Sequence, residues 1–311
     1  MVPIKKKLSD QEAAEYVELI LKLRTQWESC ENAIKKFCDS IKAEYELPEI
    51  DVDIPDTSMN YPILSKWLLL PFNELRQIRD IIDTDNYHDD YLALVKEVGK
   101  FKNIYKSFSK AGINRWIIET SGVKICPYCN LAYTFNRRNK TMAQLDHFYP
   151  KSDYPEFAIC YYNLIPCCPS CNRIKSKYSG TLVSPYEDNA FSTMRILATT
   201  SRRINYLNIK ETEANIKVEI MSDREEDLNN IEKMGIGDAY IKLNGYAAEI
   251  LRKKAIYKNK NSRKLIIDAI KRAGISDDEI LRFYFGNYID EEKGKGIMDK
   301  MASDLFHQDE I

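Results

Sequence analysis

The stretch YYNLIPCCPSCNRIKS, residues 161–176, decides how the middle of the chain folds. It contains Cys168 and Cys171, two cysteines with two residues between them. A second pair with the same spacing, Cys126 and Cys129, lies upstream in CPYC. Two such pairs can bring four thiolates to one Zn²⁺ ion, each sulfur about 2.3 Å from the metal. The sequence therefore predicts a zinc site, with a redox dithiol or a chance pairing as the alternative.

The predicted zinc is structural. Four thiolates fill a tetrahedral shell and leave no open position for a water or a substrate. The ion would close the long loop between the two cysteine pairs, residues 130–167, and hold its ends together. We expect the chain to be cytoplasmic, where its eight cysteines would not form disulfides.

A second motif lies inside that loop. LDHFYP, residues 145–150, places one of only three histidines directly after an aspartate. We predict a hairpin in which an aromatic strand near 131–135 is followed by a strand that ends at His147. Neighbouring side chains on a strand point to opposite faces. Asp146 and His147 can therefore act together if the carboxylate holds a hard cation while the neutral imidazole takes a proton from a water beside it.

Two asparagines and a lysine extend this pattern downstream. Asn163 lies in YYNLIP, and Asn172 directly follows the last cysteine of the second pair. A helix beginning at that cysteine would put Asn172, Lys175 and Ser176 on one face. A divalent cation between Asp146 and Asn172 would have two oxygen ligands from the protein. Because Mg²⁺ and Mn²⁺ prefer oxygen and keep several waters, these two ions are the predicted catalytic metals.

Together the motifs resemble the HNH (ββα-metal) nucleases in their zinc-stapled form, over roughly residues 123–185. The resemblance implies a β-hairpin and a helix that grip one divalent cation. It implies that Asp146 is a metal ligand and His147 the general base. It also implies that Asn163 orients His147 through its backbone loop, and that Asn172 fills a position where the family often has histidine. With an ordinary imidazole pKa, activity would fall below about pH 6.5.

The predicted function is a metal-dependent endonuclease that hydrolyses phosphodiester bonds in DNA, with RNA as a second candidate substrate. More loosely, the helical flanks and SPYEDN resemble HNH proteins of bacterial antiphage systems, Septu-like or retron-associated, in which the nuclease partners an ATPase. The alternative from another class is a non-catalytic zinc-stapled module that binds nucleic acid or docks onto a protein.

Charge distribution bears on the nucleic-acid prediction. The 311-residue chain has a net charge of −1, but residues 121–180 contain eight basic and three acidic residues. A local basic segment in an acidic protein indicates a focused contact with a polyanion, with ordinary surface lysine as the alternative. The candidate phosphate contacts are Lys175, Lys177, Arg173, Arg137 and Arg138.

The predicted fold class is mainly α with a small α+β insert. We expect three regions: a helical region over 1–120, the zinc-stapled module over 121–185, and a mostly helical region over 186–311. Further helices are predicted near 72–83, 88–109, 112–120, 224–233, 238–258, 260–273, 276–284 and 296–306, with a strand in EANIKVEIM, residues 213–221. The acidic, proline-containing segment 47–62 is predicted to be a loop.

One long helix is predicted over residues 9–46. Ser9 and Glu12 form a capping-box signature, and apolar residues then recur in steps of three and four up to Ile41. This heptad seam buries one stripe against another helix, either inside this chain or in self-association or a contact with another protein. Finally, no apolar run of 18 residues and no secretory signal is present, so no membrane contact is expected.

Overall fold

The computed structural model describes residues 1–46, 61–84, 86–138, 140–178, 180–289 and 296–309. The chain is mainly helical with small antiparallel sheets, which confirms the predicted fold class. The predicted loop at 47–62 lies almost entirely outside the described residues. The helices are α1 (Asp10–Leu21), α2 (Glu28–Ser40), α3 (Pro62–Leu68), α4 (Phe72–Ile82), α5 (His88–Val98), α6 (Phe101–Ala111), α7 (Ile113–Thr120), α8 (Pro169–Lys175), α9 (Ile209–Asn215), α10 (Glu225–Lys233), α11 (Ile236–Tyr240), α12 (Asn244–Lys258), α13 (Lys260–Arg272), α14 (Ile280–Phe285) and α15 (Asp299–His307). The strands are β1 (Asn136–Arg137), β2 (Lys140–Thr141), β3 (Gln144–His147), β4 (Leu164–Cys167), β5 (Arg195–Thr199) and β6 (Lys217–Met221).

The prediction of one continuous helix over 9–46 is wrong, because the segment forms α1 and α2 with a break between them. The capping box at the start of α1 is present, with the Ser9 N–H donating to Glu12 Oε2 at 2.9 Å. The break has a local cause. The Trp27 indole N–H donates to the carbonyls of Leu21 and Arg24, both at 3.1 Å, and so satisfies backbone acceptors at the end of α1.

The apolar seam of these two helices is buried within the chain. Tyr16, Ile20, Trp27, Ile34 and Phe37 are each at most 1% exposed. Helix α2 packs against α5 and α3. The seam therefore belongs to the chain's own core and does not present an apolar stripe to another protein.

Placing two carboxylates in this seam is expected to destabilise the protein. Trp27→Glu with Ile34→Glu would bury two charges without partners, which is among the largest destabilising changes a core can suffer. We expect a sharp loss of thermal stability with no change in oligomeric state before unfolding. A melting curve measured beside light scattering checks this, and a variant of unaltered stability that changes its association would contradict the internal packing.

The central module is built differently from the predicted hairpin. Strand β3, which carries Asp146 and His147, pairs antiparallel with β4, so that Asp146 faces Ile165 and His147 faces Leu164. The aromatic run at 131–135 instead folds back on the first cysteine pair, with the Cys126 N–H donating to Ala132 O at 2.8 Å. Residues 131–135 therefore close the cysteine knuckle, and the partner of β3 is β4, with the sequence LIPC.

The C-terminal region contains the predicted strand, which is confirmed as β6 and pairs antiparallel with β5. Two predicted helices are each interrupted: 88–109 divides into α5 and α6 at Gly99 and Lys100, and 238–258 divides into α11 and α12. Helix α15 packs against β5 and α12.

The three predicted regions share one core. Buried residues from all of them form a single hydrophobic cluster. Polar contacts join them as well: the Tyr16 hydroxyl donates to Ile159 O at 2.8 Å, and the Tyr240 hydroxyl donates to Cys129 O at 2.8 Å. The division at 120 and 185 stays a prediction about the chain's organisation. None of the described helices has the length and apolar character needed to span a bilayer.

Candidate metal centre and cleft

The four predicted zinc ligands lie together. The sulfur atoms of Cys126, Cys129, Cys168 and Cys171 are within 4.8 Å of one another, and all four residues are buried. Backbone N–H groups point at two of the sulfurs, from Leu131 to Cys129 and from Cys171 to Cys168, each at 3.4 Å. Four sulfurs at this spacing with donors directed at them form a site that fits a tetrahedral ion such as Zn²⁺.

The crowded thiols influence each other's ionisation. Hydrogen bonding with Cys126 lowers the pKa of Cys168 and raises the pKa of Cys171. A cation at the centre would remove this competition, because every thiol would bind it as a thiolate. The second cysteine pair also starts a helix, since Cys168 is the N-cap of α8 and Pro169 its first residue.

Asp146 is buried at the edge of this cluster. Its Oδ2 accepts a hydrogen bond from the Tyr128 hydroxyl at 2.7 Å, and the Lys175 ammonium lies 3.1 Å from the same oxygen and 3.2 Å from Oδ1. Burial raises the pKa of the Asp146 carboxyl, while the Lys175 charge and the Tyr128 hydroxyl act against this. Both partners come from the cysteine knuckles, because Tyr128 lies between Cys126 and Cys129 and Lys175 ends α8.

His147 points into a different environment, as expected for the next residue on a strand. Its Nε2 lies 3.0 Å from the carbonyl oxygen of Ala158. A carbonyl only accepts, so Nε2 carries the proton and Nδ1 keeps a lone pair. The Tyr105 ring packs edge-on against the imidazole with centroids 4.3 Å apart.

The imidazole is neutral at ordinary pH. Burial, and next the charge of Lys151, lower the pKa of His147 to about 3. This corrects the expectation of an acid limb near pH 6.5, which assumed an unperturbed imidazole. A neutral histidine with a free lone pair is in the form that can accept a proton, but the burial that keeps it neutral also makes it a weaker base than an exposed imidazole.

Asn163 fastens the segment that follows β3. Its Oδ1 accepts from the Tyr149 N–H at 2.8 Å, and its Nδ2 donates to Tyr149 O at 3.1 Å and Phe157 O at 3.0 Å. The side chain is fully buried. These three bonds tie Asn163 to the segment between His147 and Ala158, and its role in orienting His147 stays a prediction.

Asn172 and Lys175 both lie on α8, but their side chains have different surroundings. The Asn172 Nδ2 donates to Gln144 Oε1 at 2.7 Å, at the start of β3. The Lys175 side chain is fully buried, and its ammonium donates to His147 O at 2.9 Å as well as to Asp146. This corrects the prediction that Lys175 contacts a phosphate, because the ammonium neutralises a buried carboxylate instead.

The other candidate phosphate contacts are exposed. Lys177 follows α8 and lines the same cleft as Asp146 and His147. Arg173 lies on the exposed side of α8. Arg137 and Arg138 lie at the β1–β2 turn. The structure brings Lys177 near Asp146 and His147, whereas the two arginines of the turn do not line that cleft.

A cleft of about 720 Å³ joins the predicted catalytic residues; we call it the central cleft. Asp146, His147 and Asn172 all line it. Its opposite wall belongs to α6, in the N-terminal region, and includes Tyr105. The volume is typical of sites that enclose a small molecule or a short polymer segment.

Sequence reasoning missed several residues of this centre. Tyr128 lies between the two cysteines of CPYC, so the sequence itself shows that it is close to two of the predicted zinc ligands. Tyr105 and the lysines of α6 belong to no motif, and Glu156 looks in sequence like any acidic loop residue. Only the fold brings these residues to the segment after β3.

Glu156 is fully buried beside this centre, and burial raises the pKa of its carboxyl from near 4.5 to about 8. The Tyr91 hydroxyl donates to its Oε2 at 3.2 Å, while the charge of Lys102 on α6 lowers its pKa and that of Asp83, the C-cap of α4, raises it. Between those two pKa values the folded protein holds a proton that the unfolded chain has released. The free energy of unfolding must therefore fall as pH rises through this window.

Glu156→Gln is expected to remove that pH dependence. A single proton contributes a slope of at most about 1.4 kcal/mol per pH unit. The variant should gain stability relative to the wild type between pH 5 and pH 8, and exposed Glu15→Gln should not. Urea melts at both pH values measure this, and parallel behaviour of wild type and Glu156→Gln would show that Glu156 does not titrate in the window.

Comparison with known proteins agrees with the geometry. Residues 126–181 match a family model described as HNH endonuclease. No curated protein and no solved structure matches the chain. The matched segment begins at Cys126, the first residue of the four-cysteine cluster, and includes β3, β4 and α8. The central module of this chain matches the HNH endonuclease family and contains a cluster of four cysteines that could hold a metal ion.

Proposed function

We propose that the protein is a metal-dependent endonuclease that hydrolyses phosphodiester bonds, with DNA as the first candidate substrate and RNA as the second. The observation that carries the proposal is the pairing of a neutral, oriented His147 with a carboxylate from the adjacent residue in one cleft. A docking module would need neither group there.

His147 is the proposed general base. With Nε2–H donated to Ala158 O, its Nδ1 can take a proton from a water that attacks the phosphorus. Asn163 keeps the segment around Ala158 in place, and Tyr105 restrains the ring. Both are positioning residues in this proposal.

Asp146 and Asn172 are the proposed ligands of the catalytic cation. Asp146 Oδ1 accepts only the long bond from Lys175 and retains a lone pair. The amide nitrogen of Asn172 is held by Gln144, and no described residue donates to its Oδ1. Two hard oxygen donors in one cleft fit Mg²⁺ or Mn²⁺. When bound there, such an ion supplies charge stabilisation to the phosphoryl oxygens.

The four-cysteine cluster is proposed to hold a structural Zn²⁺. It supports the catalytic groups through Tyr128 and Lys175, which approach Asp146 from the two knuckles. A buried carboxylate with two such partners is held in one orientation. Roles in an antiphage system, an ATPase partner and a cytoplasmic location stay predictions, and co-purification with proteins encoded beside it tests the first two.

The proposed substrate and metal can be tested in one assay. Wild-type protein is incubated with supercoiled plasmid, circular single-stranded DNA and RNA, each with Mg²⁺, with Mn²⁺ and with EDTA. We expect cleavage of at least one DNA substrate with either metal and none with EDTA. Binding without cleavage under every condition would favour the non-catalytic module.

A further inference from the structure

We propose that helix α6 forms the second wall of the substrate site, and that its Lys102 and Lys106, with Lys151, hold phosphates of the strand to be cut. The inference rests on the proposed function, because it names the polyanion that the central cleft would take. The match to the HNH family covers residues 126–181 and does not include α6.

The face of α6 that meets the cleft is defined by helical spacing. Tyr105 and Lys106 follow Lys102 by three and four residues, so all three lie on one side of the helix. Tyr105 is the contact in the middle, since its ring packs on His147. This anchors the helix beside the proposed base and leaves a lysine on each side of it.

Charge in the central cleft is strongly positive. Its lining residues include four lysines, Lys102, Lys106, Lys151 and Lys177, against one carboxylate, that of Asp146. That carboxylate is already paired with Lys175. The chain as a whole has a net charge of −1, so the positive charge is a property of this cleft and not of the protein surface in general.

The cleft lysines do not stabilise the fold through ion pairs. Within the described ranges, no acid forms an ion pair with any of the four. Lys102 Nζ donates to Ser152 O at 3.2 Å, and Lys106 Nζ to Asn103 Oδ1 at 3.0 Å. Lys151 Nζ lies 4.3 Å from the centre of the Tyr105 ring, and burial, with the charge of Lys106, lowers its pKa. The repulsion between neighbouring lysines that lack ion-pair partners is relieved when an anion binds between them.

A polynucleotide strand is the anion that this arrangement suits. Its phosphates repeat along the chain, so one strand can meet several of the lysines that line the cleft while the scissile phosphate reaches Asp146 and His147. Lysine binds phosphate as a point charge and neutralises it without reading sequence. We therefore expect these contacts to provide affinity and position rather than sequence specificity.

The test measures binding and not cleavage. In a His147→Ala background without divalent metal, affinity for labelled duplex DNA, single-stranded DNA and RNA is measured by fluorescence anisotropy between 50 and 300 mM KCl. Each neutralised phosphate contributes about 0.9 to the slope of log K against log salt on duplex and about 0.7 on a single strand. Lys102→Ala with Lys106→Ala should reduce the slope by about 1.8 or about 1.4 on the strand type that the cleft takes.

The matched control is Lys35→Ala with Lys36→Ala, which removes two exposed lysines from α2, outside the cleft. It should leave the slope unchanged, and Lys102→Arg with Lys106→Arg should preserve it as well. If the double alanine variant does not fold, the single exposed change Lys106→Gln should reduce the slope by about half as much.

An equal slope in the cleft variant and the control on all three substrates would overturn the inference. Failure of this inference can be distinguished from failure of the proposed function. A wild type that cleaves while the cleft variant keeps its slope removes α6 from the site but keeps the nuclease. A reduced slope in a protein that never cleaves keeps the phosphate site and removes the nuclease.

Discussion

Cys168→Ser is expected to release about one zinc ion per chain and to unfold the central module. Four thiols meet within 4.8 Å, and loss of one leaves three ligands and an unfilled tetrahedron. Cys168 is also the N-cap of α8, but serine can take over that role, so the expected loss comes from the missing thiolate and not from the helix cap. Zinc coordination in small domains contributes on the order of 10 kcal/mol to folding, which is comparable to the total stability of a domain.

Elemental analysis and a melting curve measure this effect. Cys38→Ser is the control, because Cys38 lies on α2 outside the cluster and should keep both zinc and fold. Wild-type protein purified without stoichiometric zinc would contradict the assignment of the cluster, as would a Cys168→Ser protein that retains it.

Asn172→Ala and His147→Ala are expected to lose most cleavage activity for different reasons. Asn172→Ala removes a proposed oxygen ligand, so higher Mg²⁺ should restore part of the rate by mass action. His147→Ala removes the proposed base, a loss of about 10²- to 10⁴-fold that metal cannot repair. Asn172→His should weaken activity with Mg²⁺ relative to Ni²⁺ or Zn²⁺, because imidazole favours softer ions.

Metal titrations of single-turnover cleavage compare the two alanine variants, and direct Mn²⁺ binding adds a second readout. Asn172→Ala should bind Mn²⁺ more weakly, whereas His147→Ala should bind it as the wild type does. Equal rescue of both by high Mg²⁺ would mean that the roles of Asn172 and His147 are assigned wrongly.

The four-cysteine cluster could be predicted from the sequence because each pair of cysteines is a local pattern. Cysteines two residues apart reach one ion almost regardless of what surrounds them. The helix after the second cysteine pair was predicted to begin at Cys171, but α8 begins at Pro169, because Cys168 is its N-cap and proline is favoured in the first turn. The Ser9–Glu12 capping box is equally local and equally visible.

The pairing of the strands was harder to predict from the sequence than the cysteine cluster. The run at 131–135 has the aromatic composition of a strand, but β3 pairs with β4, which lies beyond a long intervening segment. The break before α2 depends on where one indole N–H finds acceptors, and a heptad pattern does not report that. The strand pairing joins distant segments, whereas the helix break comes from a side-chain hydrogen bond that spans only three to six residues.

The surroundings of individual side chains were the hardest property to predict from the sequence. Lys175 looks in sequence like an exposed basic residue, yet it is buried against Asp146 because α8 packs on β3. His147 looks like an ordinary imidazole, yet burial lowers its pKa to about 3. The contribution of α6 to the cleft arises from residues some 40 positions upstream, which no local motif connects to His147.

The central claim is that the cleft at Asp146 and His147 cuts phosphodiester bonds. It is tested most directly by plasmid nicking in Mg²⁺, with wild-type and His147→Ala proteins compared at equal zinc content and equal affinity for DNA. We predict nicking by the wild type, abolished by EDTA, and loss of nearly all activity in His147→Ala. Undiminished nicking by His147→Ala would contradict the account, because the activity would then come from another site or another protein.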